Sequence, residues 1–194
     1  MKKLFCVMGK SATGKDTIYR EILRRMPDLG TVIPYTTRPM RDGETDGKEY
    51  YFIRAAEMEK LDAEGKIIES RVYQTVCGPW IYATVDDGQF DRIEGGCLVI
   101  GTLVSFEKLR QYFGKHMVIP VYVETEAGLR LSRALDRERQ QSHPQYEEMC
   151  RRFLADEKDF CEENLKKCGI GRRYINADLE TCIREIMEDI RGNL

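Results

Sequence analysis

A glycine-bounded loop near the start of the chain has the residues needed to hold phosphate. From Gly9 to Thr17 it reads Gly-Lys-Ser-Ala-Thr-Gly-Lys-Asp-Thr. An apolar stretch over residues 4–8 precedes it and predicts a buried strand. Apolar residues at helical spacing follow it, namely Ile18, Ile22, Leu23 and Met26. Backbone N–H groups of such a loop converge on phosphate oxygens, and the helix N-terminus adds its positive dipole end. The pattern therefore predicts a nucleoside triphosphate site.

The expected roles of the loop residues follow from their chemistry. Lys15 is placed to reach the outer phosphates as a point charge. The residue after this lysine is usually Ser or Thr, whose hydroxyl binds Mg²⁺, but here it is Asp16. A carboxylate beside phosphate oxygens needs a cation between them. Either Asp16 binds the metal directly or through water, or metal binding has moved to Thr17. The residues expected to bind the triphosphate are Gly9, Ser11, Thr13, Gly14, Lys15, Asp16 and Thr17.

Length and composition limit the class of protein. The 194 residues, 42% of them hydrophobic, suit one α/β domain with insertions. A net charge of −2 gives no general basic surface, so nucleic acid is not an expected partner. No apolar run is long enough for a membrane span or a signal peptide, so we expect a cytoplasmic protein with no membrane partner. Seven cysteines without a Cys-x-x-Cys pair indicate buried thiols in a reducing compartment rather than disulfides or zinc.

The elements predicted around the loop alternate along the chain. Predicted strands cover residues 4–8, 31–35, 49–53, 67–76, 80–85, 97–100, 118–123 and 173–176. The first predicted helix begins directly after the loop. The other predicted helices cover residues 55–64, 103–113, 127–139, 146–161 and 179–190. Alternation of this kind predicts a parallel sheet covered on both faces. Such sheets bind ligands beyond the carboxyl ends of their strands, which is where the loop lies.

A second set of residues could bind another anion. Arg38 and Arg41 fall in one polar loop, and Tyr50 and Tyr82 fall on nearby predicted strands. Guanidinium groups suit phosphate oxygens, and phenol hydroxyls can complete the shell. The alternative is a solvated turn with incidental arginines.

The stretch that contains these arginines resembles a known family. Residues 35–44 read Tyr-Thr-Thr-Arg-Pro-Met-Arg-Asp-Gly-Glu, and residues 46–50 read Asp-Gly-Lys-Glu-Tyr. Both resemble the GMP-binding stretch of guanylate kinases, whose pattern is S-x-T-T-R-x-x-R-x-G-E followed by G-x-x-Y. The resemblance extends over nearly the whole chain, through Phe52, Ile68-Glu69, Tyr82-Ala83-Thr84 and Ile175-Asn176-Ala177.

The resemblance implies a fold and an activity. The fold is a three-layer P-loop α/β fold with a mostly parallel central sheet, a small mixed NMP-binding insertion and a helical lid. One domain would cover residues 1–194, with a core of 1–34, 86–126 and 146–194, an insertion of 35–85 and a lid of 127–145. The activity is transfer of the γ-phosphoryl group of ATP to GMP or dGMP in purine nucleotide metabolism, with ATP and Mg²⁺ as cofactors. The partner is GMP or a related phosphorylated acceptor, and the protein would be a monomer or a homodimer.

The family pattern also assigns roles to single residues. Those that would bind the GMP phosphate are Arg38, Arg41, Tyr50 and Tyr82, with Glu44 positioning the arginines. Glu69 would accept from the guanine N1–H and 2-amino group, Thr84 would support the base, and Asn176 would lie near the adenine of ATP. The residues that would assist transfer are Lys15, Arg133, Arg137 and Arg152. Without the family pattern, Glu69 reads as a surface carboxylate and residues 127–139 as a solvated basic helix.

The chain departs from the family pattern at several positions. The family carries an Asp-x-Asp pair, which serves Mg²⁺ and the guanine site, where this chain has Ile100 and Thr102. Its serine near the acceptor phosphate is Pro34 here. Either Asp16 restores the missing acid or the metal site is damaged. The remaining alternatives are a kinase of a different phosphorylated acceptor and a nucleotide-binding module with little or no catalysis; the second is weakened by the presence of Lys15.

Overall fold

The chain folds into two sheets with helices around them. The computed structural model describes residues 3–40, 43–75 and 78–194. The strands in this part of the chain are β1 (Leu4–Met8), β2 (Gly30–Thr31), β3 (Tyr35–Thr36), β4 (Tyr51–Phe52), β5 (Ile67–Thr75), β6 (Gly78–Val85), β7 (Cys97–Ile100), β8 (Val118–Glu124) and β9 (Tyr174–Ile175). The helices are α1 (Lys15–Arg25), α2 (Ala55–Ala63), α3 (Leu103–Phe113), α4 (Ala127–Arg139), α5 (Tyr146–Asp159), α6 (Glu162–Lys167) and α7 (Leu179–Asn193).

The central sheet has five parallel strands in the order β2-β7-β1-β8-β9. Every residue of its middle strand, β1, is buried, and successive side chains point to opposite faces. Leu4, Cys6 and Met8 pack with apolar residues of α3 and α6. Phe5 and Val7 pack with those of α1 and α7. The predicted three-layer arrangement is confirmed, and it leaves the loop after β1 at the carboxyl edge of the sheet.

The second sheet lies within the predicted insertion over residues 35–85. Its strand order is β4-β3-β6-β5, with β3 and β4 parallel and β6 antiparallel to both of its neighbours. Met58 of α2 packs on its inner face against Ala83 and Val85. Glu69 lies opposite Thr84, and Arg71 lies opposite Tyr82. Cross-strand partners share a face of the sheet, so these four polar side chains lie together on one face.

The prediction of a single strand over residues 31–35 is wrong. The chain forms β2 in the central sheet, leaves it, and forms β3 in the second sheet. Pro34 has no N–H to give to a strand neighbour. The N–H of Ile33 donates instead to Oε1 of Gln89 at 2.9 Å. Residues 32–34 are therefore the crossing between the two sheets.

The long helix predicted over residues 146–161 is also corrected. It ends at Asp159, and Cys161 caps a separate helix, α6. The expected apolar face is not buried, because Tyr146 is 45% exposed and Leu154 is 68% exposed. Charged residues of α5 contact the phosphate loop and α4 instead, as described below.

The described cysteines are free thiols. Four are buried, namely Cys6, Cys97, Cys168 and Cys182, while Cys150 is exposed and Cys161 is half-buried. Cys77 lies outside the described residues. Across the described part of the chain, the helices are too short or too polar to cross a membrane.

Candidate active site

The loop between β1 and α1 is shaped by two glycines. A Cβ on Gly9 would lie 2.5 Å from the carbonyl oxygen of Val123, so the loop begins pressed against β8. Gly14 has φ 86° and caps α1 from the left-handed region, which glycine enters at little cost. The loop therefore turns tightly into the N-terminus of α1, as phosphate binding requires.

The back of this loop is fixed to the ends of the neighbouring strands. Asn176 is 2% exposed, and its Nδ2 donates to the carbonyl oxygen of Thr13 at 2.7 Å. Thr125 Oγ1 donates to the same carbonyl at 3.3 Å. A Cβ on Gly14 would lie 2.5 Å from Asn176 Nδ2. Asn176 therefore positions the loop, and its proximity to adenine stays a prediction. Its Oδ1 is buried without a hydrogen-bond partner among the described residues.

The first turn of α1 carries the residues predicted to meet phosphate and metal. Lys15 Nζ lies 3.3 Å from Asp16 Oδ2, and the Asp16 side chain is 70% exposed. Thr17 is exposed beside it. In the described residues no group of three His, Cys, Asp or Glu side chains could hold a metal alone. One carboxylate and one hydroxyl nevertheless fit Mg²⁺, which takes few protein ligands when phosphate and water supply the others.

Two acidic residues of α5 contact the loop from the other side. The backbone N–H of Ser11 donates to Asp156 Oδ2 at 2.6 Å. Lys10 Nζ lies 2.6 Å from Glu157 Oε2, and Arg130 of α4 pairs with the other oxygen of Glu157. Arg130 is 1% exposed and also lies over the ring of Phe153. The loop is thus held by an acid pair that the sequence interpretation did not include.

The predicted acceptor-phosphate residues lie together in the second sheet and its loop. Arg38 is buried, and its guanidinium donates to both carboxylate oxygens of Glu44 at 2.9 and 2.7 Å. These hydrogen bonds raise the pKa of Arg38, which keeps it charged. The rings of Tyr50 and Phe52 lie against it, 5.5 and 5.4 Å from the guanidinium carbon. The sequence therefore brings a preorganised cation to this surface.

Two tyrosines complete this surface. Tyr50 and Tyr82 meet edge to face with ring centroids 5.6 Å apart. Burial, followed by the interaction with Tyr82, raises the pKa of the Tyr50 phenol. Tyr50 therefore stays protonated and can donate a hydrogen bond. The predicted fourth member, Arg41, lies outside the described residues.

The predicted base-binding residues lie next to this surface. Glu69 is 4% exposed, and its Oε1 accepts from Thr84 Oγ1 at 2.8 Å. Arg71, two residues further along β5, pairs with Glu69. Ile68 packs in the same core cluster as Cys6 and Met8 of β1. Burial, followed by the charge of Glu69, raises the pKa of the Cys6 thiol, so the Glu69 carboxylate lies near β1.

The three arginines predicted to assist transfer lie on the neighbouring helices. Arg133 and Arg137 are one turn apart on α4, the first half-buried and the second exposed. Arg152 is exposed on α5. Within the described part of the chain, neither Arg133 nor Arg137 forms an ion pair, in contrast to Arg130. Both guanidinium groups are therefore free to meet an anion.

At three positions where the chain differs from the guanylate kinase pattern, the structure shows how the residue present is placed. Thr102 is the N-cap of α3, where its Oγ1 accepts from the Ser105 N–H at 3.3 Å. Ile100 ends β7 and is 39% exposed. Pro34 accepts from the N–H of Tyr51 at 2.9 Å through its carbonyl. None of the three provides a carboxylate to the site.

Sequence interpretation missed Arg71, Arg130, Asp156 and Glu157. For Arg71 a signal was present, because a residue two positions from Glu69 on a strand points to the same face. The acid pair and Arg130 carry no such signal, since charged residues on a helix usually face solvent.

Known proteins with similar sequences are guanylate kinases. The guanylate kinase family model matches residues 1–87. A guanylate kinase of Thermobifida fusca is 46% identical over 68 residues, which is 35% of each chain. One of Syntrophotalea carbinolica is 29% identical over 95% of this chain and 73% of its own length. The chain spans less than half the length of the first curated relatives that it matches.

A solved structure extends the likeness in fold to the whole chain. The guanylate kinase of Anaplasma phagocytophilum superposes with a TM-score of 0.63 at 21% identity, covering 98% of this chain and 85% of that one. The family model ends at residue 87, just after the second sheet, whereas the similarity in fold includes the strands and helices that follow. The chain is thus similar to guanylate kinases in sequence over residues 1–87 and in fold over almost its whole length.

Proposed function

We propose that this protein transfers the γ-phosphoryl group of ATP to GMP or dGMP and releases ADP and the nucleoside diphosphate, as part of purine nucleotide metabolism. The proposal is supported by two candidate anion sites in one chain. One is the phosphate loop with Lys15, and the other is the buried Arg38–Glu44 pair beside Tyr50 and Tyr82. A carboxylate, Glu69, next to the second site supplies a means to select the base.

The donor nucleotide would bind with its triphosphate along the loop. Backbone N–H groups and the N-terminus of α1 would hold the phosphate oxygens, and Lys15 would neutralise the outer phosphates. Asp16 and Thr17 would hold Mg²⁺, which when bound neutralises charge that develops on the phosphates. Asn176 Oδ1 is a buried acceptor available to the adenine amino group.

The acceptor phosphate would be fixed by charge and by phenol donors. Arg38 is already oriented by Glu44, so little side-chain entropy is lost when it meets the phosphate. Arg41 would add a second guanidinium. Phosphoryl transfer depends mainly on positioning and charge neutralisation. Arg133, Arg137 and Arg152 would move toward the transferring group when the proposed lid, residues 127–145, closes over the proposed core and insertion.

A coupled assay of ADP formation tests the proposal. With Mg²⁺ or Mn²⁺ between pH 7 and 9, we expect turnover that requires GMP. Lys15→Met should reduce kcat by about a thousandfold or more, because the transition-state charge loses its main cation, while the circular dichroism spectrum stays unchanged. No GMP-dependent ADP under any of these conditions would reject the proposed activity.

A nucleotide-binding module without catalysis is the second candidate. The contact between Asp156 and the loop and the lack of acids at positions 100 and 102 favour it. It predicts that calorimetry detects ATP and GMP binding while no ADP forms. The unpaired Arg133 and Arg137 favour the enzyme, because a module that never transfers phosphate has no use for them.

A further inference from the structure

Arg71 forms an ion pair inside the acceptor site. Its Nε lies 3.3 Å from Oε2 of Glu69, and its Nη2 lies 3.5 Å from Oε1. The Glu69 side chain is 2% exposed and that of Arg71 is 26% exposed. Thr84 donates to Oε1 at 2.8 Å, which leaves Oε2 as the less occupied oxygen. Arg71 therefore compensates the charge of a carboxylate that is almost completely buried.

The pair is close but poorly aligned for a hydrogen bond. Glu69 Oε2 and Arg71 Nε are both buried, and neither has a hydrogen-bond partner among the described residues. Buried polar atoms without partners are costly, so natural proteins rarely keep them unless a ligand or water completes them. The acceptor site thus offers a buried acceptor directly beside a buried donor.

We propose that Glu69 and Arg71 together recognise the N1–H and C6=O edge of a 6-oxopurine nucleotide. The N1–H would donate to Glu69 Oε2, and O6 would accept from Arg71. This inference rests on the proposed function, since it names the acceptor class of the same site. In this orientation adenine would present a 6-amino donor to Arg71 and an unprotonated N1 to Glu69, so both hydrogen bonds would be lost.

Recognition through N1–H and O6 makes the 2-amino group of guanine less important for binding of the acceptor. Guanine and hypoxanthine share the N1–H and O6 edge and differ only at the 2-amino group. Neither Ile100 nor Thr102 supplies a carboxylate to bind that group, and Glu69 Oε1 already accepts from Thr84. The acceptor class is therefore 6-oxopurine nucleoside monophosphates, with IMP accepted alongside GMP.

The position of Arg71 also distinguishes it from the phosphate-binding residues. Arg71 lies opposite Tyr82 across the strands, and Glu69 lies opposite Thr84. Arg71 is thus the residue between the phenols and the base carboxylate. Its ion pair with Glu69 directs it to the base rather than to the phosphate, and the two roles give different results in a nucleotide panel.

Calorimetry with GMP, IMP and AMP on the full chain tests this inference. We expect GMP and IMP to bind within about tenfold of each other, which is the worth of one ordinary hydrogen bond. AMP should bind at least about a hundredfold more weakly, because it leaves both Glu69 and Arg71 unpaired. Arg71→Met should raise the dissociation constants for GMP and IMP by about tenfold or more and change that for AMP little. Lys60→Met, which removes an exposed cation of α2, is the matched control and should change none of the three.

Three results would overturn the inference. GMP binding more than about a hundredfold tighter than IMP would make the 2-amino group decisive. Equal weakening of all three nucleotides by Arg71→Met would assign Arg71 to the phosphate. Failure of the wild-type protein to bind any of them would contradict this inference and the proposed function together.

Parallel measurement of ADP formation separates the two proposals. If ADP forms with GMP but IMP does not bind, the proposed phosphoryl transfer stands and the proposed recognition of the base by Glu69 and Arg71 is wrong. If the three nucleotides bind as predicted but no ADP forms, the recognition of the base stands and the proposed phosphoryl transfer is wrong. If Arg71→Met fails to fold because Glu69 loses its cation, the Glu69→Gln/Arg71→Met variant removes both charges and should show the same loss of preference for GMP over AMP.

Discussion

The carboxylate of Asp156 accepts a 2.6 Å hydrogen bond from the backbone N–H of Ser11, inside the phosphate loop. In a loop of this kind the N–H groups are the groups that bind phosphate. The next residue, Glu157, binds Lys10 of the same loop at 2.6 Å. Two carboxylates of α5 thus satisfy part of the anion-binding capacity of the loop, and a triphosphate must displace or tolerate them.

Asp156→Asn should therefore increase the affinity for ATP. The amide keeps the shape and can still accept from Ser11, but it removes a negative charge next to the bound triphosphate. We expect the dissociation constant for ATP to fall about fivefold to tenfold, which is the range for one partly screened charge interaction. Calorimetry at low and high salt measures it, and the gain should shrink as salt rises.

Glu147→Gln is the control for that variant, because Glu147 is exposed on the same helix. It should leave ATP binding unchanged. Weaker ATP binding by Asp156→Asn would mean that the carboxylate orders the loop rather than competing with phosphate.

Asp16→Ser tests whether the loop acid binds metal. Removing the carboxylate should raise the Mg²⁺ concentration needed for half-maximal binding of an ATP analogue by on the order of tenfold, the lower end of the cost of losing a metal-site partner. The measurement is calorimetric titration of the analogue at several Mg²⁺ concentrations. Asp28→Ser, at an exposed position after α1, should have no effect. An unchanged Mg²⁺ dependence in Asp16→Ser would refute the idea that Asp16 replaces the missing acids.

Glu44→Gln should separate the acceptor site from the donor site. The Arg38 side chain is 3% exposed and that of Glu44 is 19% exposed, so loss of this charge leaves a buried guanidinium poorly compensated. We expect the KM for GMP to rise at least about tenfold, as for loss of a charged hydrogen bond, with the KM for ATP unchanged. The free energy of unfolding should fall by about 2 kcal/mol, less than for a fully buried pair.

The exposed Glu59→Gln on α2 is the control for this variant and should alter neither KM nor stability. Equal increases in both KM values by Glu44→Gln would show that the pair supports the whole fold and not the acceptor site alone.

The buried thiols predict how stability changes at alkaline pH. Burial raises the pKa of Cys97 to about 12 and that of Cys182 to about 11, from the ordinary thiol value of 9.0. In the unfolded chain these thiols lose their protons near pH 9, whereas the folded protein keeps them. The unfolded state then binds fewer protons, so the free energy of unfolding falls as pH rises through 9 to 11.

Chemical denaturation at pH 8 and pH 10 measures this change. Cys97→Ala should make the decrease smaller, and the exposed Cys150→Ser should leave it as it is. In the native protein at pH 8, iodoacetamide should modify Cys150 well before Cys97 or Cys182. Rapid modification of Cys97 in the folded state would contradict its burial.

The parts of the fold set by local pattern were predictable from sequence. Residues 127–139 and 103–113 match α4 and α3, because apolar spacing and the breaks after Arg139 and Phe113 mark their limits. The crossing at residues 32–34 was missed because the local pattern of a strand does not say which sheet the strand joins. The ends of α5 and α6 were missed because no proline or glycine separates them.

The residues of the candidate site likewise include some that sequence could predict and some that it could not. Arg38, Glu44 and Glu69 fall in a pattern whose spacing carries their chemistry, so sequence could nominate them. Asp156 meets Ser11 across 145 residues of chain. A contact of that kind depends on how helices pack and has no signature in the sequence around either residue.

The two sheets keep the halves of the site in separate hydrogen-bonded frameworks. In the described chain the strands that carry Glu69 and Tyr82 pair only with strands of their own sheet. Side-chain substitutions on that small sheet can therefore change the proposed acceptor site without altering the backbone hydrogen bonds of the larger sheet. The proposed acceptor site can thus change the nucleobase that it selects while the proposed donor site keeps the same loop.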